Sequence, residues 1–442
     1  MSDWSGRRLH FIGIGGAGMS GLALVAKALG ATVTGSDRAD SSYAERLRAA
    51  GIEPAIGHRA GGAPEGAEVV VSTAIAADNP ELAAAREAGA TVLHRGDLLA
   101  EVARLKRSVA VAGTHGKTST ASMAAHVLVT TGRDPAYLIG GELRTTGTNA
   151  AWGAGEWIVV EADESDRSFL KLAPDYGVVT NVELDHHSTY RSSLEIEAAF
   201  ADFAARCGRV VAGVDVPLPS AGETFGIEAG SFPARELALT GGGSRFVVDG
   251  VEVTLTVPGE HNVLNALAAL AGCRAAGVPL DEAAAALATF AGARRRFERR
   301  GRTASGAEVY DDYAHHPTEV RATIEAARTL YPARVVACFQ PHLYSRTAML
   351  ARAFGRALAL ADVVCVLEIY PARERAEDHP GVSGWLVAAE AASAARGRRV
   401  LWTPAMDDAE RALASLLAEG DLLLTLGAGD VDRLAERLVA RD

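Results

Sequence analysis

Short apolar runs alternate with amphipathic segments through the first hundred residues. LHFIGI, ATVTGSD, AEVVVSTAI and ATVLHRG read as buried strands. MSGLALVAKAL, AERLRAAG and PELAAAREAG fall between them with apolar positions at helical spacing. Strands that alternate with helices in this way predict βα units and a parallel sheet. DLLAEVARLKR then leads into a new strand, SVAVAG, and EWIVVEAD and YGVVTNVELD read as further buried strands. A glycine-rich, strand-like patch, TGGGSRFVVDGVEVTLTV, precedes the helix HNVLNALAALAGCRAAG. After GARRRFERRG the alternation restarts: AEVYDDYAHHP, ARVVACFQPH, DVVCVLEIYPAR, RVLWTP and DLLLTLGAGD are separated by Ala- and Arg-rich helical stretches. The pattern predicts an α/β protein of three domains, 1–102, 103–298 and 299–442.

Two glycine loops stand at the ends of strands. In LHFIGIGGAGMSGLALVAKALGATVTGSD, Gly13, Gly15 and Gly18 fit a dinucleotide fingerprint, and Asp37 ends the next strand where a ribose-binding acid would sit. Alone, this stretch reads as a Rossmann-like domain for NAD. The second loop, GTHGKTS, runs Gly113, Thr114, His115, Gly116, Lys117, Thr118, Ser119 directly after a β-run. Its glycines let backbone N–H groups face phosphate oxygens, and a helix starting near Thr118 adds its positive end. Lys117 can reach β- and γ-phosphates, and the Thr118 hydroxyl can ligate Mg²⁺. It departs from the eight-residue P-loop pattern in having Val111 at the first glycine position. Lysine occurs only at Lys27, Lys106, Lys117 and Lys171, the remaining cations being arginine, so a lysine inside the loop stands out.

Polar clusters follow other strands. EADESD carries Glu161, Asp163 and Glu164, and ELDHH carries Asp185, His186 and His187. Ligands of open parallel sheets gather at the carboxyl ends of strands, so Lys117–Thr118, Glu161 and Asp185–His186 could share one site and hold Mg²⁺ or Mn²⁺. DDYAHHPTEV brings Asp312, Tyr313, His315 and His316 ahead of Pro317, a helix-start residue, and FQPHLYSRT brings His342 and Arg346. Polar residues clustered at strand ends again read as a site rather than a surface, with structural capping the lesser alternative. GEHNVLNALAAL and RRRFERR carry no functional signal of their own.

Composition narrows the classes. The chain has 442 residues, 48% of them hydrophobic, and a net charge of −11, which argues against a nucleic-acid or membrane-surface binder. MSDWSGRRLHFIG lacks the charged-then-apolar run of a signal peptide, and no apolar stretch reaches spanning length. Cys207, Cys273, Cys338 and Cys365 have neither metal nor disulfide spacing and fit reduced thiols of a cytoplasmic protein.

The order HFIGIGGAGMSGLA, GTHGKTST, EADESD, DHHSTY, GEHNVLNA, RRFE, DDYAHHPTE, FQPHLYSRT, GVSG resembles the Mur ligases, ATP-dependent amide-forming enzymes of peptidoglycan precursor synthesis. The resemblance covers nearly the whole chain and is nearest to the alanine-adding branch. It implies a Rossmann-like first domain, a P-loop ATPase-like central domain and a Rossmann-like last domain. The first loop, with Gly15, Gly16, Ala17, Gly18, Met19, Ser20 and Asp37, would grip the uridine diphosphate of UDP-N-acetylmuramate rather than NAD. ATP would phosphorylate the sugar's carboxylate and L-alanine would attack the acyl phosphate. By the same resemblance Lys117 and a metal held by Thr118, Glu161 and His186 screen the reacting anions, Asn262, Asn265 and Arg296 take ATP, and Asp312, Tyr313 and His316 close over it. His342 and Arg346 would face the amino acid, with a monomer or weak homodimer expected. Two departures stand out. Ser188 replaces an aspartate that many relatives carry, and no lysine after Lys171 could be the carbamylated metal support of other Mur ligases. A tripeptide-adding relative, an NAD oxidoreductase and a regulatory nucleotide-binding protein remain the alternatives.

Overall fold

The computed structural model describes residues 4–187 and 189–440, so Ser188 lies outside the described residues. Three sheets follow one another along the chain. The first contains β1 (Arg8–Ile12), β2 (Thr32–Asp37), β3 (Ala55–Ile56), β4 (Glu68–Val71) and β5 (Val92–His94), all parallel in the order β3-β2-β1-β4-β5. The chain reverses its winding beside β1, and the glycine loop sits at that switch point, where open α/β sheets place ligands.

The second sheet is centred on β6 (Arg107–Ala112), which lies between β9 (Trp157–Glu161) and β10 (Tyr176–Val179). Beyond β9 come β7 (Ala136–Leu143) and the antiparallel β8 (Thr148–Trp152). Beyond β10 come the parallel strands β11 (Arg209–Gly213), β12 (Glu223–Ile227) and β13 (Phe232–Thr240), then the antiparallel β14 (Gly243–Val248) and β15 (Val251–Leu255). The interior strands are near-continuous apolar runs, as burial on both faces requires. The glycine-rich patch of the sequence is therefore the antiparallel end of this sheet, away from the loop.

The third sheet holds β16 (Glu298–Arg302), β17 (Glu308–Asp312), β18 (Arg334–Phe339), β19 (Val363–Val366), β20 (Arg399–Trp402) and β21 (Asp421–Leu426), in the order β16-β17-β21-β18-β19-β20. Only β16 runs antiparallel to its neighbour.

The first two sheets share one hydrophobic core. Leu9, Leu22 and Val25 pack in the same buried cluster as Ala110, Leu138, Ile158 and Phe200. The helix Ala17–Ala28 leans on β7 and β8; a Cβ at Gly21 would press on Leu138 and Ala150 at 3.1–3.2 Å, and Asn149 Nδ2 donates to Ala17 O at 2.7 Å. The third sheet keeps its own clusters, Phe339, Phe354 and Leu424 on one face and Val336, Leu413 and Leu434 on the other. Its contacts with the second sheet, described next, are chiefly polar.

Candidate active site

The turn after β6 is shaped by its glycines. Gly113 and Gly116 have φ of 141° and 80°, and a Cβ at either would run into Thr180 or Asn265. Gly116 caps the helix Lys117–Thr130, whose first-turn N–H groups open onto the cleft. Lys117 Nζ lies 2.6 Å from Gly113 O, 3.1 Å from Thr114 O and 2.8 Å from a carboxylate oxygen of the fully buried Glu164. Burial disfavours its charge, but Glu164, Asp163 and Glu161 outweigh burial and hold the ammonium's pKa above its ordinary value. Asp163 is held well below the usual carboxylate range by Arg95 and Lys117 despite its burial, and Arg95 clamps it at 2.5 Å.

Thr118 Oγ1 donates to Glu161 Oε1 at 3.1 Å and accepts from Arg296 at 3.1 Å. Glu161 also accepts the N–H of Gly140 at 2.7 Å. A hydroxyl and a carboxylate oxygen this close form a hard donor pair that suits Mg²⁺ or Mn²⁺. His186, with φ of 52°, turns Nε2 to Glu164 Oε1 at 3.1 Å, so it reaches the site through the same carboxylate as Lys117.

A cleft of about 790 Å³ brings together residues of all three sheets. Gly15, Gly16 and Ala17 line it from the first, and Thr114, Gly116, Lys117, Thr118, Glu161 and His186 from the second. Arg296, Tyr313, His342 and Arg346 line it from the third-sheet segment. A neighbouring cavity of about 330 Å³ receives His115, Gly116, Ser119, Asn262, Asn265, Arg296 and Asp312. Gly116, Arg296 and Glu319 line both, at the waist between them.

Other expected residues stand elsewhere. Asp37 Oδ2 accepts the N–H of Gly15 at 2.8 Å, so its carboxylate braces the first loop. Met19 and Ser20 are buried in the helix that follows, and Gly18 faces Arg95. Gly113 shapes its loop without lining either cavity. His316 is the N-cap of the helix Pro317–Arg328: its Nδ1 accepts from Thr318 N, and its ring packs 4.7 Å from that of His115. Burial and the neighbouring His115 lower its pKa.

His342 stacks on Tyr370, and Arg346 Nη1 reaches its Nδ1 at 3.4 Å. Burial and the cations around it push His342 down to about 3, and burial above all pushes Asp312 up to about 6. Arg295 and Arg296 both lie over the Tyr313 ring, at 5.2 and 5.3 Å.

The links made by three carboxylates emerge only in three dimensions. Glu164 joins Lys117 to His186, while Glu183 and Glu319 take the two ring nitrogens of His115, at 3.0 and 3.3 Å. Glu319 at the third helical position after His316 was a capping-box signal in HPTE; Glu183 carried none. His115, Glu183 and His316 place ligand-type atoms within 4.8 Å of one another. Both His115 nitrogens and His316 Nδ1 are already engaged, by Glu319, Glu183 and the Thr318 N–H.

Comparison with known proteins agrees with this arrangement. Models of the "Mur ligase family, catalytic domain", "Mur ligase middle domain" and "Mur ligase, glutamate ligase domain" match residues 8–107, 111–273 and 295–429. A UDP-N-acetylmuramate–L-alanine ligase of Streptomyces avermitilis is 48% identical, over 98% of this chain and 97% of its own. The crystal structure of UDP-N-acetylmuramate–alanine ligase from Thermotoga maritima superposes with a TM-score of 0.85 at 30% identity, covering 98% of both chains. A murein peptide ligase of Psychrobacter arcticus shares the fold at a TM-score of 0.74 and 24% identity, again over 98% of both. The three domain models follow one another in order along the chain, the relatives match over nearly its whole length, and the chain belongs to the Mur ligase family.

Proposed function

We propose that the protein joins L-alanine to the lactyl carboxylate of UDP-N-acetylmuramate at the expense of ATP, a step of peptidoglycan precursor synthesis. The observation that carries the reading is the single cleft running from Gly15–Ala17 past Lys117–Thr118 to His342 and Arg346. The first loop takes the pyrophosphate of the sugar nucleotide on the N-terminus of Ala17–Ala28. The nucleotide enters the smaller cavity beside Asn262, Asn265 and Asp312, with its γ-phosphate at the waist beside Lys117.

The carboxylate oxygen attacks the γ-phosphorus and ADP leaves. The neutral amine of alanine then attacks the acyl carbon, the tetrahedral intermediate expels inorganic phosphate, and the nitrogen loses a proton. Two anions must approach each other in the first step, so fixed positive charge is the main requirement. Lys117 and Arg296 supply it, and Glu164 keeps Lys117 aimed. Thr118, Glu161 and His186 would hold a divalent cation, which when bound neutralises phosphate charge. Arg346 pairs with the alanine carboxylate. His342 lines the cleft beside Arg346 and, neutral over the working range, adds no charge where the amine arrives, so the released proton goes to solvent or to the departing phosphate. The protein works in the cytoplasm as a monomer or weak homodimer, and its loss would stop wall growth and division.

The test is phosphate release from ATP and Mg²⁺ with UDP-N-acetylmuramate present and amino acids added singly. Release that needs both the sugar nucleotide and L-alanine supports the reading. Release only with a tripeptide would move the protein to the peptide-adding branch, the function named for the Psychrobacter arcticus relative. No release with any combination would reject the ligase reading.

A further inference from the structure

The phosphate loop and the third sheet are joined by one imidazole. The His115 backbone is fixed within the second sheet: its N–H donates to Asn181 Oδ1 at 2.8 Å, and its carbonyl accepts from Thr180 and Asn181. Glu183 is fixed beside it, exchanging hydrogen bonds with the Thr114 hydroxyl at 2.9 and 3.0 Å. Ring and carboxylate form a fork that meets the helix Pro317–Arg328 end-on. Glu319 Oε1 takes His115 Nδ1, and Thr318 Oγ1 donates to both oxygens of Glu183 at 2.8 and 2.9 Å.

The other oxygen of Glu319 accepts the N–H groups of His315 and His316, at 2.9 and 3.2 Å. One carboxylate therefore sets the turn that starts the helix and ties that turn to the phosphate loop. Although burial opposes it, the two carboxylates keep His115 protonated, with its pKa raised to about 9.

We propose that His115 is a positioning residue: held between Glu183 and Glu319, it couples the phosphate loop to docking of the third sheet, and so places His342 and Arg346 over the cleft. The inference rests on the reading of the loop as an ATP site. A ring held in this way makes the loop's occupied geometry and the docked helix a single arrangement, because among the described residues His115 and Glu183 are the hydrogen-bond partners that Glu319 and Thr318 have on the second sheet. A nucleotide that orders the loop thereby favours docking, and docking tightens the nucleotide pocket that Glu319 lines.

The experiment is a double-mutant cycle on the full-length chain with Mg²⁺ and the non-hydrolysable analogue AMP-PNP, read by calorimetry and by small-angle scattering. His115→Asn and Glu319→Gln should each weaken analogue binding about tenfold, and the double variant should be no weaker than either single. Thr318→Val, which leaves the loop untouched, should raise KM for ATP and for alanine several-fold while kcat at saturation stays within twofold. Wild type should contract on adding the analogue, and the three single variants should contract less.

Additive losses in the double variant, or wild-type binding and contraction in Thr318→Val, would overturn the coupling. Melting temperatures identify any variant that has lost its fold, leaving the remaining variants to decide. Since binding needs no turnover, a wild type that binds the analogue but forms no amide would remove the proposed reaction and leave the clasp standing. A wild type that does not bind the analogue overturns both.

Discussion

Arg346, in the first turn of the helix Tyr344–Leu358, donates to both carboxylate oxygens of Asp185, which lies 161 positions earlier in the chain. Both side chains are almost fully enclosed, and the guanidinium with the neighbouring histidines holds Asp185 well below the usual carboxylate range against the cost of its burial. Asp185 thus fixes the orientation of the fork that the proposed reaction assigns to the amino acid.

Arg346→Lys keeps the charge and loses the planar fork. Steady-state kinetics with alanine varied should show kcat/KM down about 10- to 100-fold, the value of one charged hydrogen bond or two, with KM for ATP unchanged. Arg346→Ala strands a buried carboxylate, at a cost of about 3–5 kcal/mol. It should therefore also lower the temperature at which the third sheet melts, as read by calorimetry.

Lys117→Met should reduce amide formation by about 10²–10³ or more, the usual loss when a charge-stabilising donor is removed. It also leaves Glu164 without its cation, so a lower melting temperature is expected. Lys117→Arg keeps a cation beside Glu164 and should recover part of the stability, but a planar fork cannot reproduce the single ammonium that meets Gly113 O, Thr114 O and Glu164 together, so activity should stay low.

Glu161→Gln still accepts from Gly140 and still meets Thr118. The melting temperature should stay within about 1 °C while the Mg²⁺ concentration for half-maximal rate rises tenfold or more, since a neutral ligand holds a hard cation poorly. Chelator should abolish turnover in wild type, and unaltered turnover under chelation would remove the cation from the reaction.

The clasp carries its own pH dependence. The pKa of His115 rises from 6.5 to about 9 in the folded chain, so its contribution is complete below about 6.5 and is lost as pH climbs through about 9. The facing groups do not titrate in that window: Glu183 and Glu319 are lowered, His316 is lowered, and Lys117 is raised above its ordinary value. Analogue affinity in wild type should fall between pH 8 and 10 by about tenfold, and His115→Asn should show no such step.

Glu81 stands far from the chemistry, at the hub of a buried network in the first sheet. It accepts from His10 at 2.8 Å and from Ser36, and His58 approaches at 3.3 Å. Glu81→Ala orphans two buried partners and should cost about 2–4 kcal/mol. Denaturant unfolding should show that loss with m unchanged.

The helices and buried strands were legible because their apolar periods are local, and each glycine loop because a strand, a turn and a helix start lie within a few residues. His316 was legible as a functional-looking histidine, yet it spends its ring on capping its own helix. Met19 and Ser20 follow the first loop so closely that sequence cannot separate lining from core, and the structure buries them. Glu183 and Glu319 were not legible as a pair, since they meet only through His115, which lies 68 and 204 positions away from them. Nothing local marks an interaction at that range.

The two joints of the molecule differ in kind, and this has a mechanical consequence. Leu22, Val25, Leu138 and Phe200 belong to one core, so the two glycine loops are set at a fixed spacing when the chain folds. The third sheet is attached through ions and hydroxyls, which water can replace at small cost. On the proposed reading the two anionic reactants are held by a rigid jig, and the part that can travel is the arm that would bear the uncharged nucleophile. Lys117 meets the repulsion from the frame, and Arg296 adds its charge from the third-sheet side as the arm comes in.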